Sequence, residues 1–190
     1  MEHGEGERRS AYLALGLIAL ILLAAALATY QVRERASILP APTPSETETA
    51  VAEVLPSLTT EEGNVIPPEL LTSQVQVIMT WASWCPQCAA QLQMMNAVAA
   101  EYQSESVAFL AVNRAERSGI KDQYRATLPP LPNVVFLADA DDRFYQATAG
   151  YTMPTVLVRD ATGRELGLYQ DVVATSTLVD AIRRGLATVE

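Results

Sequence analysis

The sequence predicts an α/β domain, a mixed sheet with helices on both faces, preceded by an apolar N-terminal segment. Three observations predict it. Short β-type runs alternate with helical stretches from about Leu58 onward, the pattern of strands joined by crossover helices. The last two β-type runs are separated by little more than Ala161-Thr162-Gly163, a turn signal that pairs them as an antiparallel hairpin. Both cysteines of the chain sit together in Cys85-Pro86-Gln87-Cys88, between an apolar run and a stretch free of Gly and Pro.

The elements follow in chain order. From Ser10 to Val32 there are 23 consecutive uncharged residues, rich in Leu, Ala and Ile. As a helix that run crosses the roughly 30 Å apolar layer of a bilayer. Ala26-Leu27-Ala28 also fits a cleavage site, so the segment is a membrane anchor or a signal segment. Arg8 and Arg9 precede it closely, and after Arg35 no Lys or Arg appears until Arg114. Arg33 and Arg35 on the other side make the short-range count a tie, so the positive-inside rule only leans towards an expected cytoplasmic N-terminus and an external C-terminal domain. Pro40, Pro42, Pro44 and Pro56, among Ser, Thr and Glu, predict an extended tether. The expected organisation is a cytoplasmic tail at 1–9, the anchor or signal segment at 10–32, a Pro/Thr/Glu-rich linker at 33–56 and a globular domain at 57–190.

Within the globular part, Glu62-Gly63-Asn64 marks a turn. The run Val75 to Trp81 is a buried strand, and Cys88 to Tyr102 is helical. Strands are expected at Val107 to Val112, Val134 to Ala138, Thr155 to Val158 and Glu165 to Tyr169. Helices are expected around Ile120 to Leu128, at Asp141 to Ala147 and at Thr175 to Ala187. In the last helix, Leu178, Ile182 and Leu186 recur at four-residue steps and define its buried stripe.

Charge and residue types exclude several functions. Residues 51–190 carry 9 basic and 16 acidic residues, a net of −7, which argues against nucleic acid as a partner. The only histidine, His3, lies in the N-terminal tail, so the globular part has no imidazole for Ser–His or Cys–His catalysis. A closed zinc site needs four ligands, and two cysteines with the only histidine in the tail argue against one in this domain. No Gly-rich phosphate loop or dinucleotide fingerprint is present, and no bound cofactor is expected beyond a redox-active disulfide. A Cys-X-X-Cys at the start of a helix places its first sulfur where free N–H groups and the macrodipole favour thiolate. The thiolate is the form that attacks disulfides, so the expected chemistry is dithiol–disulfide exchange.

The segment Trp81-Ala82-Ser83-Trp84-Cys85-Pro86-Gln87-Cys88 resembles the active-site segment of the thioredoxin superfamily. It is most similar to the membrane-anchored, extracytoplasmic TlpA/ResA branch. Phe136-Leu137-Ala138-Asp139 looks like that family's strand before a short helix. Tyr151-Thr152-Met153-Pro154-Thr155-Val156-Leu157-Val158 resembles the segment that carries its cis-proline, about 65 residues after the cysteines. The resemblance implies an exposed nucleophile of lowered pKa at Cys85 and a buried resolving thiol at Cys88. It implies that Trp84 shields the site, that Pro86 and Gln87 tune it, and that Pro154 is cis and faces the sulfurs. The Met153 backbone would pair with an extended substrate segment.

The departures from the family pattern bear on direction. Thioredoxins place a buried acid where this chain has Met79, and TlpA/ResA-like reductases carry a Glu where this chain has Gln91. Gln91 replaces a proton shuttle with a group that cannot titrate. Pro86 after the first cysteine resembles the strongly oxidising DsbA, but Gln87 is neutral where DsbA has a His. Ala82 stands where peroxide-reducing relatives place Thr or Ser. The resemblance thus implies reduction of disulfides in exported proteins, fed by a membrane electron donor. The alternatives are a disulfide-forming oxidase and a peptide-binding module with little turnover.

Overall fold

The computed structural model describes residues 46–148 and 152–187, together with Leu20 and Leu22. The chain divides into two units, Met1–Thr43 and Pro44–Glu190, and every strand and helix named below belongs to the second. In order they are α1 (Glu46–Val54), a 3-10 turn (Leu55–Ser57), β1 (Thr59–Thr60), α2 (Pro68–Leu71), β2 (Val75–Trp81) and α3 (Cys88–Glu101). Then come β3 (Val107–Asn113), α4 (Ser118–Arg125), β4 (Val135–Ala138), α5 (Arg143–Ala147), β5 (Thr155–Asp160), β6 (Glu165–Gln170) and α6 (Thr175–Leu186).

One sheet of order β1-β4-β3-β2-β5-β6 carries the domain. Strands β2, β3 and β4 run parallel, while β5 is antiparallel to both β2 and β6. The expected terminal hairpin is β5–β6, turned by Gly163 at φ 89°. The expected turn at Glu62-Gly63-Asn64 is also present: Gly63 has φ 82°, and the Thr60 N–H donates to the Asn64 carbonyl at 2.8 Å.

The two-residue period of a strand explains why β2 is apolar almost throughout. Val75, Val77, Met79 and Trp81 enter one core with Leu92 and Met95 of α3 and Leu178 and Ile182 of α6. Ile78 enters a second core, with Leu110, Leu137 and Leu157 from the neighbouring strands. That second core also contains Val51 and Val54 of α1, Leu55, and Phe144 of α5. The helices therefore lie on both faces of the sheet, as the alternation predicts.

The linker boundary at residue 56 needs correction. Residues 46–54 are helical, and Val51 and Leu55 are each 1 % exposed. Val51, Val54 and Leu55 recur at three- and four-residue steps, an apolar stripe long enough to cover one sheet face. Prolines at 40, 42 and 44 end before it begins. The segment 10–32 lies outside the described residues apart from Leu20 and Leu22. Among the described residues no helix is long and apolar enough to cross a membrane.

The topology gathers four loops at one edge. The parallel strands β2, β3 and β4 all end there, and the antiparallel β5 begins there. Chain segments 82–87, 114–117, 139–142 and 152–154 are thereby brought to a common rim. The loop after β4 is pinned from within by Asp139, which is 1 % exposed. Its oxygens accept the N–H groups of Phe144 (3.2 Å) and Tyr145 (2.9 Å) at the start of α5. Burial pushes this carboxyl above the usual range, against the pull of those two N–H donors.

Candidate active site

The site begins where β2 runs out. Trp81 is fully buried, with its ring 5.8 Å from Phe136 edge-on and 5.9 Å from Tyr124. This aromatic cluster fixes the end of the strand. The chain then turns: the Cys85 N–H donates to the Ala82 carbonyl at 3.2 Å and the Cys88 N–H to the Cys85 carbonyl at 3.3 Å. Cys85 and Cys88 form a disulfide with Cα atoms 5.4 Å apart, and Cys88 opens α3.

Exposure within the motif is not distributed as expected. Cys85, read from the family resemblance as an exposed nucleophile, is only 2 % exposed in this oxidised state, and Cys88 is fully buried. Both sulfur-bearing residues join the apolar core that includes Trp81 and Val156, with Met153 packed against it. A disulfide is apolar and carries no charge that demands water, which is why it can be covered in this way. The exposed residues are its neighbours: Trp84 at 59 %, Pro86 and Gln87. Trp84 thus stands beside the disulfide as an open apolar surface.

The Met153–Pro154 peptide bond is cis. Pairing of Thr80 with Thr155 puts Pro154 next to the end of β2, from which the cysteine loop departs. The Pro154 carbonyl accepts the Asp171 N–H at 2.9 Å, which ties this turn to the segment before α6. That segment is held a second time by Gln91. The buried Gln91 amide accepts the Val173 N–H at 3.1 Å and reaches the Val173 carbonyl at 3.5 Å. Gln91 therefore clamps α3, one turn beyond Cys88, to the loop that holds Pro154. Met79 is fully buried among apolar neighbours and offers no proton-carrying group.

Four residues of the site were not legible as such: Ser83, Asn113, Arg114 and Glu116. The Glu116 carboxylate accepts the Ser83 N–H (2.9 Å), the Ser83 hydroxyl (2.5 Å) and the Asn113 side-chain amide (2.8 Å). Asn113 also donates to the Trp81 carbonyl at 3.3 Å. The Arg114 guanidinium lies 4.1 Å from the Tyr145 ring centroid and 5.8 Å from that of Trp84. It donates to both oxygens of Asp142, at 2.6 and 3.3 Å. Ser83 lies inside the cysteine motif, which was its only sequence signal. The others sit about 30 residues away and meet it only through strand pairing.

The Arg114–Asp142 pair supplies a pH-dependent hold on this rim. The hydrogen bond from Arg114 keeps the Asp142 carboxyl below the usual carboxylate range, outweighing its partial burial. A depressed folded-state pKa means the stabilisation is present above the unfolded value near 3.9 and is lost as pH falls through the lower folded value. Asp142 sits at φ 57°, a conformation that Asn also tolerates. Asp142→Asn therefore removes the charge without adding strain. The expected cost at pH 7 is about 1 kcal/mol or less after solvent screening, with a flatter stability profile below pH 4, both read by urea denaturation across pH.

A disulfide joining Cys-X-X-Cys at the head of a helix, together with a cis-proline just before the strand paired to β2 in a mixed sheet of this order, defines a thioredoxin-fold thiol–disulfide oxidoreductase. The chain belongs to the Redoxin family, whose sequence model matches residues 41–182. No curated protein matches it significantly. Solved structures do. DsbF of Mycobacterium tuberculosis superposes with a TM-score of 0.60 at 19% identity, covering 75% of this chain and 99% of that one. A secreted M. tuberculosis disulfide oxidoreductase homologous to E. coli DsbE gives 0.55 at 20% identity, over 66% and 92%. A protein of Chlorobium tepidum assigned as a thiol:disulfide interchange protein DsbE gives 0.59 at 25% identity, over 68% and 91%.

Proposed function

We propose that this chain is an extracytoplasmic thiol–disulfide oxidoreductase that reduces disulfides in exported proteins, held at the membrane by residues 10–32. The Cys85–Cys88 disulfide at the start of α3, beside Pro154, carries the exchange reading. Export is supported by the 23-residue uncharged run and by the secreted nature of one structural relative. The tether keeps the domain within reach of the membrane, where an electron donor would reload it.

The reaction runs in two exchanges. In the reduced protein the Cys85 thiolate attacks one sulfur of a substrate disulfide. That bond breaks, a Cys85–substrate disulfide forms, and the departing sulfur takes a proton. The Cys88 sulfur then attacks Cys85, expels the second substrate thiol and closes the Cys85–Cys88 disulfide. Two electrons and two protons pass to the substrate, and a membrane dithiol donor restores the reduced pair. Trp84 offers the substrate an apolar contact, and the Met153–Pro154 turn offers backbone pairing. Pro86 and Gln87 set the potential.

Cationic neighbours stabilise a thiolate and make a pair oxidising, whereas Pro86 and Gln87 are neutral. The deciding measurement is the reduction potential of the Cys85–Cys88 pair in the full-length protein, equilibrated against glutathione. A value more negative than about −200 mV is expected for a reductant. A value near about −120 mV would instead assign the chain to the disulfide-forming oxidases. A peptide-binding role would show itself as partner affinity that survives Cys85→Ser.

A further inference from the structure

The structure assigns Glu116 as the positioning residue for Cys85: its carboxylate fixes the turn that presents this cysteine, and its charge favours the disulfide form of the pair. The assignment rests on the exchange reading above and deepens it. Ala82 to Cys85 form a turn closed by the Cys85 N–H donating to the Ala82 carbonyl. Ser83 is the first central residue of that turn. Both of its donors, the N–H and the hydroxyl, end on Glu116, one on each oxygen. Glu116 is in turn oriented by Asn113, which is 2 % exposed and also donates to the Trp81 carbonyl. The turn is therefore held from β3, not from within the motif.

The charge is the second consequence. Glu116 brings a carboxylate against the backbone of Ser83, two residues before the nucleophile. The cation beside it, Arg114, is already committed to both oxygens of Asp142, so that pair is close to neutral as a unit. Tyr124 of α4 is the other titratable group within electrical reach of Glu116; burial, and then the Glu116 charge, raise its pKa and keep it neutral. Among the described residues no ion pair reaches Glu116 itself; the Arg114 charge acts on it only at a distance and is held mainly by Asp142. When the disulfide takes up two electrons, negative charge develops on the Cys85 sulfur. A fixed carboxylate nearby opposes it. Opposing the thiolate disfavours the reduced form, and a pair whose disulfide is favoured is the stronger reductant. With no acid at Met79 or Gln91, this acid from the loop after β3 is a fixed negative charge beside the cysteine turn.

The test is glutathione equilibration of full-length wild type, Glu116→Gln, Glu116→Asp and Ser83→Ala at pH 7, followed by thiolate absorbance titration of Cys85. Each equilibrium converts 2 glutathione thiols and the protein disulfide into the protein dithiol and glutathione disulfide. Glu116→Gln keeps one acceptor oxygen and loses the charge. It is expected to favour the dithiol by about tenfold, about 30 mV less negative, with a lower Cys85 pKa. Ser83→Ala and Glu116→Asp keep the charge and lose hydrogen bonding or reach, and both are expected to stay within about threefold of wild type. A Glu116→Gln potential within twofold of wild type overturns the assignment. So does a tenfold shift in Ser83→Ala or Glu116→Asp, which remain informative if Glu116→Gln does not fold. Glutathione equilibration needs no protein substrate. A wild-type value near that of the oxidases would therefore overturn the reductase reading alone, while the difference between variants still decides the role of Glu116.

Discussion

Replacing Cys88 by serine is expected to stop the reaction after its first exchange, leaving substrate protein joined to Cys85 through a disulfide. The reason is positional. Cys88 is fully buried in the first turn of α3, whereas Cys85 lies in the preceding turn between the exposed residues Trp84 and Pro86. An incoming disulfide can meet Cys85 with a small rearrangement of its cover, but it can meet Cys88 only by opening the helix. Without the Cys88 thiol nothing inside the protein expels the bound substrate. Multiple-turnover reduction should fall by at least about a thousandfold, the scale seen when a nucleophile is removed from a catalytic unit. Cys85→Ser should fall as far and form no adduct. Mass spectrometry of the reduced full-length variants after exposure to a disulfide-containing protein reads both results. An adduct on Cys85→Ser and none on Cys88→Ser would reverse the two roles.

Replacing Gln91 by glutamate is expected to make stability strongly pH-dependent. The wild-type amide both accepts from the Val173 N–H and points its own N–H groups at the Val173 carbonyl. A protonated carboxyl can reproduce that pairing. An ionised one cannot, because it has no donor for the carbonyl and would be a charge at a site 2 % exposed. The folded-state pKa of the introduced carboxyl should therefore rise by roughly 3 units above its unfolded value near 4.3. A raised folded pKa means near-wild-type stability below that unfolded value and a growing deficit as pH rises toward the folded one. The full deficit is on the order of 4 kcal/mol. Urea denaturation of wild type and Gln91→Glu from pH 4 to pH 8 measures it, and parallel profiles would show that Gln91 sits in a wetter place than its contacts indicate. The same substitution would add a titrating group one turn beyond Cys88. A new pH dependence in the second exchange step is expected to accompany the stability change.

The fold was largely legible because its signals are local. A buried central strand must be apolar on both faces, and Val75 to Trp81 is nearly so. Hairpins announce themselves through turn residues, as Gly163 does. Helix α1 was missed because composition over residues 33–56 averages a proline-rich stretch with the short apolar stripe of Val51, Val54 and Leu55. Only the sheet face that this stripe covers reveals its purpose. The exposure of Cys85 was also misjudged. A motif specifies which residues occur together but not how deeply a turn seats them against a core.

The cysteine pair with its helix start, and the proline segment downstream, are each carried by a short local run of residues, so the sequence by itself pointed to the chemistry. What surrounds that chemistry came from elsewhere. Glu116 and Asn113 reach the cysteine turn because β2 and β3 are parallel and end together. Gln91 reaches Val173 because α3 and the segment before α6 lie on the same side of the sheet. Such partners are separated by 33 and 82 residues along the chain, and no local pattern couples them. Hydrogen bonds and charges act over a few ångströms of space, and only the tertiary structure decides which residues share that space.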